Sequence, residues 1–141
     1  MRLYTVNCIA SSTYNNQGSK FIASIHPTQT LEKYKSILNE YKTKHPRSCH
    51  VCSAYRLYSN NQIIEYSSDD GEPRGSSGPP ILNKIKKYNM VNVSIYVVRY
   101  FGGKKLGISG LINAYGFVSD NCLRDIKKNI WFTTKTISIS Y

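Results

Sequence analysis

Two polar, glycine-rich segments hold most of the groups in this chain that could do chemistry. The first, Ser67 to Leu82 (S-S-D-D-G-E-P-R-G-S-S-G-P-P-I-L), sets Asp69, Asp70, Glu72 and Arg74 among three glycines and three prolines, too stiff and too polar for a core. Its three carboxylates could gather a divalent cation, since hard metals take oxygen ligands and Mg²⁺ commonly needs only one or two from protein. The D-D-G-E run lacks the alternating acids and distal Glu of a calcium loop. The structural alternative has Asp70-Gly71 turning the chain while Asp69 or Glu72 accepts backbone N–H bonds or pairs with Arg74. His50 is the candidate general base, meeting Cys52, Asp69 or Asp70 in space.

The second segment, Arg99 to Leu111 (R-Y-F-G-G-K-K-L-G-I-S-G-L), places Gly102, Gly103, Gly107 and Gly110 around Lys104 and Lys105 and runs into a helix. Exposed amides and the dipole at a helix start favour an anion, and the lysines add charge. The pattern is neither a P-loop nor a dinucleotide fingerprint, so it predicts no cofactor. Alternatively, the glycines only permit positive φ or close backbone approach. Tyr100 and Tyr115 flank this loop and are candidates to stack on unpaired bases, whereas β-propensity accounts for most of the other tyrosines.

Other constellations carry less. Cys49-His50-Val51-Cys52, with His45 nearby, lacks a second C-x-x-C, and on a strand the two thiols point to opposite faces, so no metal site is expected. Ser109 and the Ser76-Ser77 pair do not sit in a G-x-S-x-G elbow.

The elements that must position these groups follow from periodicity. Residues 3–10 and 19–26 read as strands around a turn at Tyr14 to Gly18. Thr28 or Thr30 caps a helix to about His45 with Leu31, Tyr34, Leu38 and Tyr41 on one side. Cys49–Tyr58 and Gln62–Tyr66 form a hairpin around Ser59-Asn60-Asn61. Pro79 or Pro80 opens a helix to about Tyr88, with Ile81, Leu82 and Ile85 inward. Residues 91–101 form a central strand, and about 109–128 a helix striped by Leu111, Ile112, Tyr115, Val118, Cys122, Leu123 and Ile126. A last alternating strand covers 131–141. The order β-β-α-β-β-α-β-α-β predicts an α+β two-layer sandwich with a mixed sheet and helices on one face.

At 141 residues and 40% apolar the chain is one domain with a core of its own. Its formal net charge of +11 attracts polyanions and makes RNA a candidate partner, or else reflects lysines spread over solvated faces. Four scattered cysteines do not make a disulfide framework, and neither a signal-peptide apolar region nor a membrane-length apolar run is seen. A cytoplasmic protein with no membrane partner is expected.

S-K-F at Ser19–Phe21, H-x-C-x-A-Y-R at His50–Arg56, D-D-G-E-P at Asp69–Pro73 with G-x-x-G-x-P-I-L at Gly75–Leu82, and V-V-R-Y-F-G-G-x-x-L-G-x-x-G-L-I-N-A-Y at Val97–Tyr115 stand in one order across roughly residues 18–124. In these motifs the chain resembles the YigZ/IMPACT family. The resemblance implies the fold shared by the second domain of small-subunit ribosomal protein five and domain IV of elongation factor G, and a role in translation. Bacterial members resemble a two-domain protein with a ferredoxin-like second domain. Residues 1–130 are accordingly expected to be the family's N-terminal-type domain. Residues 131–141 are expected to be the start of the second, pairing on a sheet edge of this chain or, by self-association, of a neighbour.

The leading expectation is a non-catalytic basic module that docks on RNA or the ribosome, or on a translation-related protein. Its surface would comprise Arg74, Arg99, Tyr100, Lys104, Lys105 and the glycines at 102, 103, 107 and 110. The alternative is an enzyme using His50, or Asp69, Asp70 and Glu72 with a metal, on a phosphorylated or peptide substrate. Convergence of His50, the acidic loop and the second glycine loop on one concave pocket would favour it.

Overall fold

A computed structural model describes residues 2–131. After a two-residue strand, β1 (Tyr4–Thr5), come β2 (Ala10–Asn16), β3 (Ser19–Pro27), α1 (Leu31–Lys44), β4 (His50–Ser59), β5 (Gln62–Ser68), α2 (Gly78–Lys87), β6 (Val93–Tyr100), α3 (Gly107–Arg124) and β7 (Asn129–Ile130). The main sheet has the order β2-β3-β6-β4-β5, and β1 pairs separately with β7.

Local chemistry explains most boundaries. Thr30 caps α1, its hydroxyl accepting from Lys33 N at 3.1 Å. Asn60 and Asn61 both take positive φ between β4 and β5, as the tight hairpin turn requires. The expected strand at 3–10 is a correction: within it only Tyr4–Thr5 and the final residue, Ala10, are in strands, and the hairpin partner of β3 is Ala10–Asn16, which reads as polar because only one face of this edge strand is covered.

The α+β class holds, with two corrections to its detail. Every ladder of the main sheet is antiparallel rather than mixed. The crossover through α1 does leave β3 and β4 parallel to each other, but β6 enters between them and runs against both. The helices also lie on both faces. Val93, Ile95 and Val97 of β6 join Phe21, Ala23, Ile25, Cys52 and Ala54 in a core covered by α2 and α3. Tyr96, on the other face, packs with Tyr34, Ile37, Tyr55 and Leu57 under α1. A central strand buried on both faces requires cover on both.

Residues 132–141, on which most of the expected final strand and its sheet-edge pairing fall, lie outside the described residues. Just before them Trp131 N donates to the Leu3 carbonyl at 2.9 Å, and its ring lies 4.4 Å from that of Tyr58.

Candidate functional site

His50 and Arg99 are register partners at one end of the sheet, on the face that α3 covers. Alternation along β6 aims Arg99 the same way as Val97 and Ile95, into the core side, so the strand carries a charge where it must find a counter-charge. Glu72 supplies it. The Arg99 Nη1 donates to Glu72 Oε1 at 2.9 Å and to Oε2 at 2.7 Å, with Arg99 5% and Glu72 7% exposed. Tyr115 OH of α3 donates to Oε2 at 2.5 Å, and Arg99 Nη2 donates to Ser19 Oγ at 3.3 Å.

His50 joins from β4. Its Nδ1–H donates to the Asp70 carbonyl at 2.7 Å, which turns Nε2 toward Glu72 Oε1, 3.4 Å away. Cys52, two residues on, points the same way and donates to Tyr115 OH at 3.4 Å. Burial pushes its thiol up to about 12, so it stays protonated and is a poor metal ligand or nucleophile. Burial likewise drives Tyr115 well above the ordinary phenol range, with Cys52 and Glu72 adding to it.

The acidic loop therefore does not act as a carboxylate cluster. Asp69 accepts from the amides of Gly75, Ser77 and Gly78 at 2.9, 3.2 and 2.8 Å, bracing the start of α2. Burial works to raise its pKa, but those amides and the Ser77 hydroxyl outweigh it and hold the carboxyl below its ordinary range. Asp70 accepts from Val51 N at 2.7 Å. Among the described residues no three His, Cys, Asp or Glu side chains gather closely enough to hold a metal ion.

The glycine loop divides in two. Gly102 is architectural: a Cβ there would lie 2.0 Å from the Gly18 carbonyl carbon, so two loops touch backbone to backbone. Gly107 stands open at φ +76 and starts α3, which has neither a side-chain cap nor an acid in its first turn. Lys104, Lys105 and Arg74 are exposed. Tyr100 hydrogen-bonds His45 Nδ1 at 2.6 Å toward α1. Gly103 is open, and Gly110 faces Leu106.

His50, Glu72, Pro73, Arg99, Phe101, Lys105, Leu106, Gly107, Ile108 and Leu111 line one cavity of about 360 Å³. Of the expected site residues, His50, Glu72, Arg99, Lys105 and Gly107 meet here, whereas Asp69 and Asp70 are spent on backbone. Arg99 lies inside rather than on a surface with Arg74, and Glu72 takes Arg99 and not Arg74 as its partner. The apolar wall of Phe101, Leu106 and Ile108 was missed, since each reads as ordinary loop or helix. The Arg99–Glu72 pair had a usable signal: a charged residue in phase with Val93, Ile95 and Val97.

The chain matches the Impact N-terminal domain family over residues 17–123. It is 40% identical over 98 residues to the IMPACT family member YvyE of Bacillus subtilis, covering 70% of this chain and 45% of that protein. It thus spans about half the length of that relative. A crystal structure of a hypothetical protein superposes with a TM-score of 0.83 at 28% identity, covering 92% of this chain and 64% of that one. The two-domain translational regulator Yih1 shares the fold at a TM-score of 0.52 and 24% identity, over 82% of this chain and 45% of that one.

Proposed function

Since the chain belongs to the Impact N-terminal domain family, we propose that it is a basic binding module of the translation apparatus, docking on ribosomal or other RNA by the end of the sheet where β3 begins and β6 ends. The setting in translation is carried over from Yih1, described as a translational regulator. The contact mode rests on this chain's own charge distribution.

One observation carries the reading. Asp69, Asp70 and Glu72, the acids at that end, all turn inward and are spent on backbone amides or on Arg99. Lys20, Arg47, Arg74, Lys104 and Lys105 remain exposed there, and among the described residues none pairs with a carboxylate. A surface that internalises its acids and displays its cations attracts phosphate backbones.

Titrating purified ribosomes and a structured RNA at low and physiological salt tests it. Affinity should fall steeply, by about 10³-fold between roughly 50 and 200 mM salt if six phosphates are neutralised. Absence of binding at low salt would overturn the proposal.

A second reading, catalysis through His50, is favoured by its convergence with Glu72 and the 105–111 segment on one cavity. It expects turnover of a phosphorylated or peptide substrate that His50→Ala abolishes; unchanged turnover in that variant would dismiss it.

A further inference from the structure

The two edges of the main sheet are unlike. β2 is polar along its length apart from Ala10 and Tyr14, and both of these pack on the core. β5 reads Q-I-I-E-Y-S-S with its first five residues exposed, and among them Ile63, Ile64 and Tyr66 are 38%, 44% and 48% exposed. An edge strand presents unpaired N–H and C=O groups, which proline, lysine or a bulge ordinarily keeps from pairing. β5 has neither proline nor lysine, and its register with β4 runs unbroken from Ser59 opposite Gln62 to Ser53 opposite Ser68. Its one charge, Glu65, accepts from Arg56 Nε of the neighbouring strand at 2.9 Å. Ile64 and Tyr66 lie opposite Leu57 and Tyr55, so they extend the apolar face under α1 to the rim of the sheet, where no described strand continues it.

We propose that β5 is a docking edge and that its occupant is this chain's own segment 132–141, F-T-T-K-T-I-S-I-S-Y, added as a further strand parallel to β5. Where the segment begins selects the edge. The Trp131 ring lies 4.4 Å from that of Tyr58, the register partner of Ile63, so the chain leaves the described residues beside the start of β5. From there it can follow β5 only toward Ser68, which makes the pair parallel. Length fits as well: Phe132, Thr133 and Thr134 reach the edge, and residues 135–141 match the seven residues of β5, roughly 23 Å when extended. Alternation sets the phase. Ile137, Ile139 and Tyr141 fall on one face and Thr136, Ser138 and Ser140 on the other, so the apolar set joins Ile64 and Tyr66 while the polar set flanks Glu65. Backbone pairing supplies the attachment and these side chains its register. A second copy on this edge fits less well, since two chains of net charge +11 repel. The inference does not depend on the proposed RNA docking.

Amide hydrogen exchange and interstrand NOEs of the full chain test it. Amides within 135–141 should exchange at least about tenfold more slowly than in an unstructured peptide, with NOEs in parallel register to residues 62–68. Ile137→Asn with Ile139→Asn should return 135–141 to unstructured rates and speed exchange at alternate amides of β5. Thr136→Asn with Ser138→Asn, on the other face, should change the protection by less than about twofold. Unchanged exchange in β6 reports that the fold is intact in each variant. Unstructured exchange throughout 135–141, NOEs from the segment to an element other than β5, or an equal loss in the two double variants would each overturn the assignment. So would contacts seen only between chains in a mixture of labelled and unlabelled protein, which would make the occupant a second copy.

Discussion

Glu72 is the residue on which this end of the molecule turns. Its carboxylate neutralises Arg99, takes the Tyr115 hydroxyl and faces His50, so it joins the 69–77 loop to β6, α3 and β4. An ion pair this deeply buried adds little over well-packed apolar residues, yet losing one partner leaves a desolvated charge uncompensated. Glu72→Ala should therefore lower unfolding stability by about 3–5 kcal/mol in a urea titration. Arg99→Met combined with Glu72→Met should recover a large part of that loss. A single-variant loss below about 1 kcal/mol would mean the pair is solvated and the cavity floor is not as described. The same pair explains why sequence reading fell short here. Arg74 stands two residues from Glu72 and was the nearer partner by number, but β6 brings Arg99 to it across the sheet.

At the scale of elements, α1 differs from the other helices in how it is held. Its buried residues, Tyr34 and Ile37, lie among Tyr55, Leu57 and Tyr96, and its C-terminal part is fastened by two histidine–tyrosine bonds. His26 Nε2 meets Tyr41 OH and His45 Nδ1 meets Tyr100 OH, both at 2.6 Å. Burial lowers the pKa of both histidines below the ordinary 6.5, with Glu40 opposing and Lys33 adding at His26, and Lys44 adding at His45. The unfolded chain therefore takes up protons before the folded one. The stability contributed by the neutral rings is complete above 6.5 and is lost as pH falls from there through the depressed folded values. Hydrogen exchange of residues 31–44, corrected for intrinsic rates, should accelerate between about pH 7.5 and about pH 5.5 while β6 holds. Equal change in α1 and β6 would show that the histidines act on the whole fold and not on this helix.

For the whole molecule the question is whether a net charge of +11 acts everywhere or in one place. Lys33 and Lys35 lie exposed on α1, while Lys20 and Lys104 lie by the contact of Gly18 with Gly102. Reversing either pair to Glu changes net charge equally, so any difference in RNA affinity reports position. Reversal of Lys20 and Lys104 should weaken RNA binding by about tenfold or more, and reversal of Lys33 and Lys35 by less than about threefold. Equal losses would reduce the proposed surface to diffuse attraction. No helix of the described residues is long and apolar enough to cross a membrane.

What the sequence determined by itself was local: the Thr30 cap, the Asn60-Asn61 turn, the central β6, the helix after the second glycine loop, and the family motifs. These depend on backbone preferences and periodicities within a few residues, which the chain carries wherever it is placed. The tertiary structure alone decided which strands became neighbours, that α1 crossed to the far face, and that Glu72 met Arg99 27 positions away while Asp69 and Asp70 were drawn off by amides. A charge's partner is set by the distances and desolvation that packing imposes. Those follow from β6 lying between β3 and β4, an arrangement to which no short stretch of sequence refers.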